Sequence, residues 1–278
     1  MTSRSKAAAA LLAVPLLIVL GAVLIWPLLT LGLASLTDGS GHFTLSNYVG
    51  ALTSSRYQKA MLVTAVLALL STVLALILCV PAGLYIGTQD TALTRGMAVA
   101  LSIPLSLPGI VVGFFIILLV GNTGVVPLAF ESAIGQRHLQ IAYTWAGLTL
   151  GYLYFQIPRI VLVVRGAAAA VRPEAVQAAQ SLGEGTVGVY RRVIIPALRP
   201  AIASASGLAF ATAFGAYGTA ATLARGQRVM PLEIAAAFTE NFRPELAATL
   251  SIILAVVTTT VLIGVNAWGS KRIVSVRT

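Results

Sequence analysis

The sequence predicts an all-α membrane protein, a bundle of six transmembrane helices. Three observations carry that prediction. Hydrophobic residues fill 58% of the 278 positions and charged residues only 9%, whereas a soluble domain carries about 25% charged residues to cover its surface. Six apolar runs each exceed the roughly 20 residues a helix needs to cross a bilayer core. The runs are unbroken, without the short alternating strands of a transmembrane barrel. The same composition excludes a disordered chain, a secreted disulfide scaffold (Cys79 is the single cysteine) and an ordinary cytosolic enzyme.

In chain order the runs are Ala7–Leu36, Ala60–Ile86, Met97–Val120, Leu139–Val164, Pro200–Ala224 and Leu246–Trp268. The first follows Arg4 and Lys6, but it is much longer than the about 7–15 apolar residues of a signal peptide. No small-residue cleavage site precedes Asp38, so it reads as a retained helix. Pro15, Pro27 and Pro81 fall inside spans, where neighbouring helices in a bundle satisfy the carbonyls they free. Gly83/Gly87, Gly109/Gly113 and Gly147/Gly151 set small residues one turn apart, as close helix packing requires. No Asp or Glu falls in any of the runs, and only the fourth carries a charge, Arg159 beside Pro158.

Charge sets the orientation. With the N-terminus inside, Arg4, Lys6, Arg95, Arg165, Arg172, Arg191, Arg192, Arg199, Lys271, Arg272 and Arg277 fall on the cytoplasmic side, with Asp90, Glu174 and Glu184. Arg56, Lys59, Arg137, Arg225, Arg228 and Arg243 fall outside, balanced by Asp38, Glu131, Glu233, Glu240 and Glu245. This is a positive-inside pattern with both termini cytoplasmic in a multi-pass cell-membrane protein. The net charge of +10 thus serves membrane topology, and no nucleic-acid partner is expected. No repeat or linker divides the chain. It reads as an N-terminal helix and outer loop (1–58), a core (59–268) and a cytoplasmic tail (269–278).

The longest inner segment is the loop 166–199. Pro173-Glu174 opens a short helix, since proline suits the first helical position and an acid complements the dipole. The helix is expected to run from Pro173 to Leu182 and to end on Gly183 in a left-handed cap. Ala175, Ala178, Ala179 and Leu182 give it a nearly flat side suited to a groove on a partner. Gly185 and Gly188 then loosen the chain before Tyr190-Arg191-Arg192 and a second proline boundary at Pro196.

Gln177-Ala178-Ala179, three residues, Gly183, nine residues, Val193, one residue and Ile195-Pro196 resemble the EAA loop of bacterial ABC importer permeases. That motif reads EAA, three residues, G, nine residues, I, one residue, LP. Ser46-Asn47-Tyr48, Tyr154-Phe155-Gln156-Ile157-Pro158 and Phe214-Gly215-Ala216-Tyr217 look like the spermidine/putrescine branch of type I permeases, whose relatives handle phosphonates, ferric iron, thiamine, sulfate and molybdate. The resemblance implies the type I permease fold and a permease subunit of an ATP-driven, binding-protein-dependent importer of a small polar solute, polyamine-type or related. It implies as partners a second permease chain in a heterodimer, two ATPase subunits that bind the ATP and Mg, an extracytoplasmic substrate-binding protein and membrane lipid. Glu174, Gln177, Ala178, Ala179, Gly183 and Pro196 are then the ATPase-coupling residues. The family's Glu is Gln177 here, and Glu174, three residues earlier on the same face, stands in for the missing carboxylate.

No G-x-x-x-x-G-K-[ST] cradles a phosphate and no H-E-x-x-H, paired cysteines or G-x-S-x-G occur, so no catalytic residue, cofactor or metal is assigned to this chain. His42 and His138 are too far apart in sequence to suggest a metal site. Candidates for the translocation path are Arg159, Gln156, Tyr152, Asn122 and Tyr217, the polar groups of an otherwise apolar bundle. A charge deep in a span, such as Arg159, faces protein or water rather than lipid: as a path or gate residue meeting an anion or a carbonyl freed by Pro158, as a structural pair with the partner subunit, or as an Arg near enough to the inner face to snorkel. An anionic solute such as a phosphonate is the alternative cargo, because a polycation calls for carboxylates that the runs lack. An ion-gradient-driven secondary transporter is the rival class, and it too favours intramembrane carboxylates.

Overall fold

A computed structural model describes residues 14–15, 17–89, 91–135 and 141–270. The expectations placed on Arg4, Lys6, Asp90, Arg137, His138, the start of the fourth run at Leu139 and the tail from Lys271 lie outside the described residues. The elements are α1 (Trp26–Ser35, preceded by a π-turn Gly21–Ile25), α2 (Ser46–Thr53), α3 (Ser55–Thr88), α4 (Ala92–Ala100), α5 (Gly109–Val120) and α6 (Val125–Ile134). They continue with α7 (Trp145–Ala169), α8 (Pro173–Ser181), α9 (Thr186–Val189), α10 (Ile195–Phe214), α11 (Tyr217–Leu223), α12 (Met230–Thr239) and α13 (Pro244–Ser270). No strand occurs among the described residues beyond one isolated bridge, Thr37 with Phe43. Among the described residues six helices are long and apolar enough to cross a membrane: Leu17–Ser35, Ser55–Thr88, Gly109–Ala133, Trp145–Ala169, Thr186–Phe214 and Pro244–Gly269.

The third and fifth spans differ from the sequence reading. Met97–Val120 is not one helix: α4 ends at Ala100, a 3-10 turn covers Ile103–Ser106, and the span starts afresh at Gly109. Pro104 and Pro108 lack the N–H needed to continue an α-helical ladder, and Pro108 caps α5 in an extended conformation. The fifth span lies earlier than Pro200–Ala224, because Gly215 ends α10 and Tyr217 opens a separate helix. Pro196 is not a boundary either. A π-turn over Tyr190–Ile194, closed by the Ile195 N–H on the Tyr190 carbonyl, widens the helix just before it, so the chain runs helically from Thr186 to Phe214. The fourth span also begins later, at Trp145 after Thr144, whose hydroxyl accepts from the Gly147 N–H. The sixth span begins two residues early, at Pro244, so Glu245 lies in its first turn, while Glu131 falls near the end of α6 and Arg165 in the last turns of α7.

The chain forms two compact units, one of residues up to Gln58 with Glu233–Ala255, the other of Lys59–Leu232 with residues from Val256 on. In the first, Ser35 Oγ pairs with the Tyr48 hydroxyl at 2.8 Å, Asn47 donates to the Thr37 carbonyl and Thr249 donates to the Ser35 carbonyl. Arg56 there donates to the buried Glu233 carboxylate at 2.7 Å. The second unit centres on α3, α7 and α10, whose buried side chains include Cys79, Leu153, Ile160, Val164, Leu198 and Ala209. Small residues set its spacing. A Cβ at Gly83 would lie 2.8 Å from Val164 Cβ, and one at Gly113 would overlap Thr222 of α11.

Candidate functional site

The loop after α7 is built by its prolines and glycines. Pro173 supplies the first helical residue of α8 and Glu174 the acid of its first turn. At the other end the Gly183 N–H bonds to the Gln180 carbonyl and the Glu184 N–H to the Ala179 carbonyl, with Gly183 at φ +85°. This is the Schellman closure the sequence predicts, and it needs a residue tolerant of the left-handed region. Glu174, Gln177 and Ala178 are exposed, whereas Val176 and Ala179 turn inward and pack on the core of the second unit. The flat face is therefore narrower than expected: Ala175, Ala178 and Leu182 remain on the surface and Ala179 does not.

Sequence reasoning missed three features here. Leu182 is 86% exposed and Val187 80%, so two large apolar side chains stand in solvent on either side of the Gly183 turn. Glu184 pairs with Arg192 of the π-turn, and its carboxylate lies over Gly188, where a Cβ would stand 1.9 Å from Oε2. A cavity of about 450 Å³ lies behind α8, lined by Gly87, Thr88, Ala168, Val176, Gln177 and Gln180 among others. Gln177 thus faces this cavity as well as solvent. Pro196, the last coupling candidate, is exposed in the first turn of α10.

Three of the path candidates share α7. Tyr152 and Gln156 are buried, 3% and 1% exposed, and Arg159 is half-buried. Both side chains are enclosed by neighbouring residues of this chain. Gln156 Nε2 donates to Ser71 Oγ at 3.1 Å and lies 3.3 Å from the Ala209 carbonyl and 3.5 Å from Thr72 Oγ1. One turn on, the Arg159 guanidinium donates to Thr212 Oγ1, whose own hydroxyl donates to the Leu208 carbonyl. Hydroxyls at Ser71, Thr72 and Thr212 therefore complete a polar seam across α3, α7 and α10. Their place in apolar runs, where Ser and Thr bond across helices, was the available signal. Asn122 and Tyr217 are not on α7: Asn122 is exposed in the turn after α5, and Tyr217, also exposed, opens α11.

Among the described residues no group of three or more His, Cys, Asp or Glu stands close enough to hold a metal ion. His42 is exposed, with its Nδ1 3.9 Å from Asp38.

The solved structure of a bacterial ABC transporter that imports the acidic polysaccharide alginate contains a chain superposing with a TM-score of 0.77 at 17% identity, over 97% of this chain and 96% of that one. An inward-facing MetNI methionine ABC transporter gives 0.59 at 15% identity, over 76% and 93%. Both show the type I permease fold. The molybdenum transport system permease protein ModB of Mycobacterium tuberculosis is 31% identical over 220 residues, 78% of this chain and 81% of its own. The sulfate transport system permease protein CysT of Salmonella typhimurium is 28% identical over 159 residues, 56% of each. The family model for the binding-protein-dependent transport system inner membrane component matches residues 79–274. With most of its length inside that match, this chain belongs to the family of binding-protein-dependent transport system inner membrane components.

Proposed function

We propose that the chain is the permease subunit of an ATP-driven importer of a small tetrahedral oxyanion of the molybdate or sulfate kind. The observation that carries the reading is Arg159, a cation near the middle of α7 whose partner is the Thr212 hydroxyl rather than a carboxylate. A guanidinium offers five N–H donors in a planar fork matched to oxyanion geometry. The single contact to Thr212 leaves most of that fork for a ligand. The names of ModB and CysT, which are a molybdenum and a sulfate permease, agree with this electrostatic argument. A polyamine cargo fits poorly, since a cation beside Arg159 meets like charge and the span carboxylates Glu131 and Glu245 sit at helix ends.

In this reading α8 faces the cytoplasm and docks on an ATPase subunit, Leu182 and Val187 supplying apolar anchors and Glu174 the carboxylate that Gln177 lacks. A second permease chain completes the path and an external binding protein delivers the anion. ATP-driven closure of the ATPases moves α8, and with it the helices that α8 joins. Both termini are then cytoplasmic.

Uptake of radiolabelled molybdate, sulfate and spermidine by the complex reconstituted with its binding protein tests the cargo. Oxyanion uptake that spermidine does not inhibit is the expected result, and spermidine uptake overturns it. Single cysteines at Ser40 and Thr239 in a Cys79→Ala background test the orientation. They should react with impermeant thiol reagents from outside, and one at Thr186 only after the membrane is opened.

A further inference from the structure

The amide of Gln156 is not satisfied by the arrangement around it. Its Oε1 is buried without a hydrogen-bond partner. Its Nε2, with two N–H groups, faces three acceptors, Ser71 Oγ, Thr72 Oγ1 and the Ala209 carbonyl. The Ser71 hydroxyl is meanwhile turned to the Ala68 carbonyl at 3.2 Å. Turning the amide by half a revolution would let Oε1 accept from the Ser71 and Thr72 hydroxyls. It would also set Oε1 against the Ala209 carbonyl, lone pair to lone pair. With α10 in place, neither orientation serves every group, and a buried network left half-made is poised to change.

The two orientations differ in whether they hold α10. The donating amide ties α7 to α3 through Ser71 and to α10 through Ala209; the accepting one ties α7 to α3 alone and requires the α10 carbonyl to withdraw. The contact from Arg159 to Thr212 joins the same pair, α7 and α10, one turn further along each chain. Whatever separates Ala209 from Gln156 therefore strains or breaks the hold of Thr212 on the guanidinium.

We propose that Gln156 is the positioning residue for Arg159. While its amide donates to Ala209, α10 is held on α7 and the guanidinium rests on Thr212. When the amide turns to accept from Ser71 and Thr72, α10 is released and Arg159 is freed to take the oxyanion. The inference rests on the reading of Arg159 as the anion contact. It adds the element that decides when that contact is available.

The test is a double-substitution cycle in the reconstituted complex, reading molybdate ions moved per ATP hydrolysed, with recovery of the assembled complex measured on the same preparations. Gln156→Met keeps the volume and removes both pairings; Arg159→Met removes the anion contact. Each alone should lower the ratio roughly tenfold or more, the scale of one charge-assisted hydrogen bond, and the double variant should fall no further. Gln156→Glu supplies the same cycle if Gln156→Met does not assemble. Its carboxylate should capture Arg159, and its defect should vanish once Arg159 is gone. Independent, multiplying defects, or a normal ratio in both Gln156 variants, would mean that Gln156 only packs helices and would overturn the inference alone. A normal ratio in Arg159→Met would overturn the anion-contact reading and the inference with it.

Discussion

An added Cβ at Gly87, near the end of α3, would lie 2.6 Å from the Arg165 carbonyl oxygen and 2.7 Å from Ala168 Cβ. At Gly183, after α8, it would meet nothing within 4 Å, yet φ there is +85°. One glycine is required by the space around it and the other by its own backbone. The difference marks two regions of the second unit. Around α3, α7 and α10 the side chains are small and buried and the polar groups are bonded across helices, so a change there is felt by the bundle. In α8 and the turn after it most groups, Val176 and Ala179 apart, are exposed and the geometry is local, so a change at an exposed position alters what the loop presents while the spans stay intact. A transport subunit needs both, a bundle that keeps its fold and a handle that a partner can grip.

Substitutions sharpen that contrast, in order of their expected effect on stability. Gly87→Ala forces the new methyl against backbone, and overpacking of this kind costs about 1–3 kcal/mol. The protein should accumulate poorly in membranes and melt early in detergent. Normal thermal stability of that variant would show that α3 and α7 can part at little cost. Gly183→Val places a β-branched residue in the left-handed region at about 1–2 kcal/mol of local strain. Because only the end of α8 is disturbed, membrane accumulation should be near normal while uptake and coupled ATP hydrolysis fall. Unchanged coupling would remove the cap from the mechanism.

Glu184→Gln breaks the pair with Arg192, whose side chain is 72% exposed. An exposed pair contributes about 0–1 kcal/mol, so melting should barely move, and a large loss would place the turn within the structural core. Leu182→Asp should not affect stability at all, since the side chain is 86% exposed. Its effect should be on docking, read as loss of the ATPase from the purified complex. Full retention of the ATPase would show that Leu182 is not part of the contact.

Much of the handle was legible in the sequence because its determinants are local. Pro173, Glu174 and Gly183 act within a few residues of themselves, and the structure gives a helix over Pro173–Ser181 closed on Gly183. The bundle was legible only in outline. Apolar length located the spans, but a run of apolar residues does not say where a helix is interrupted. Pro104 and Pro108 broke the third run, while Pro196 and Pro200 were absorbed within the fifth helix with a π-turn just before them. Whether a proline ends a helix depends on what neighbouring backbone can satisfy.

By itself the sequence determined that the chain is an all-α membrane protein, and its spacing of Gln177, Gly183 and Pro196 led to the permease family. Hydrophobic burial in lipid and the stereochemistry of proline and glycine act through composition and short-range order, which a sequence displays directly. Only the tertiary structure decided that Gln156 is sealed between three helices, that Arg159 rests on Thr212, and that Gly83 and Gly87 lie against α7. The hydrogen bonds among those contacts join residues 53 to 85 positions apart. No periodicity within one helix specifies which face of another it will meet.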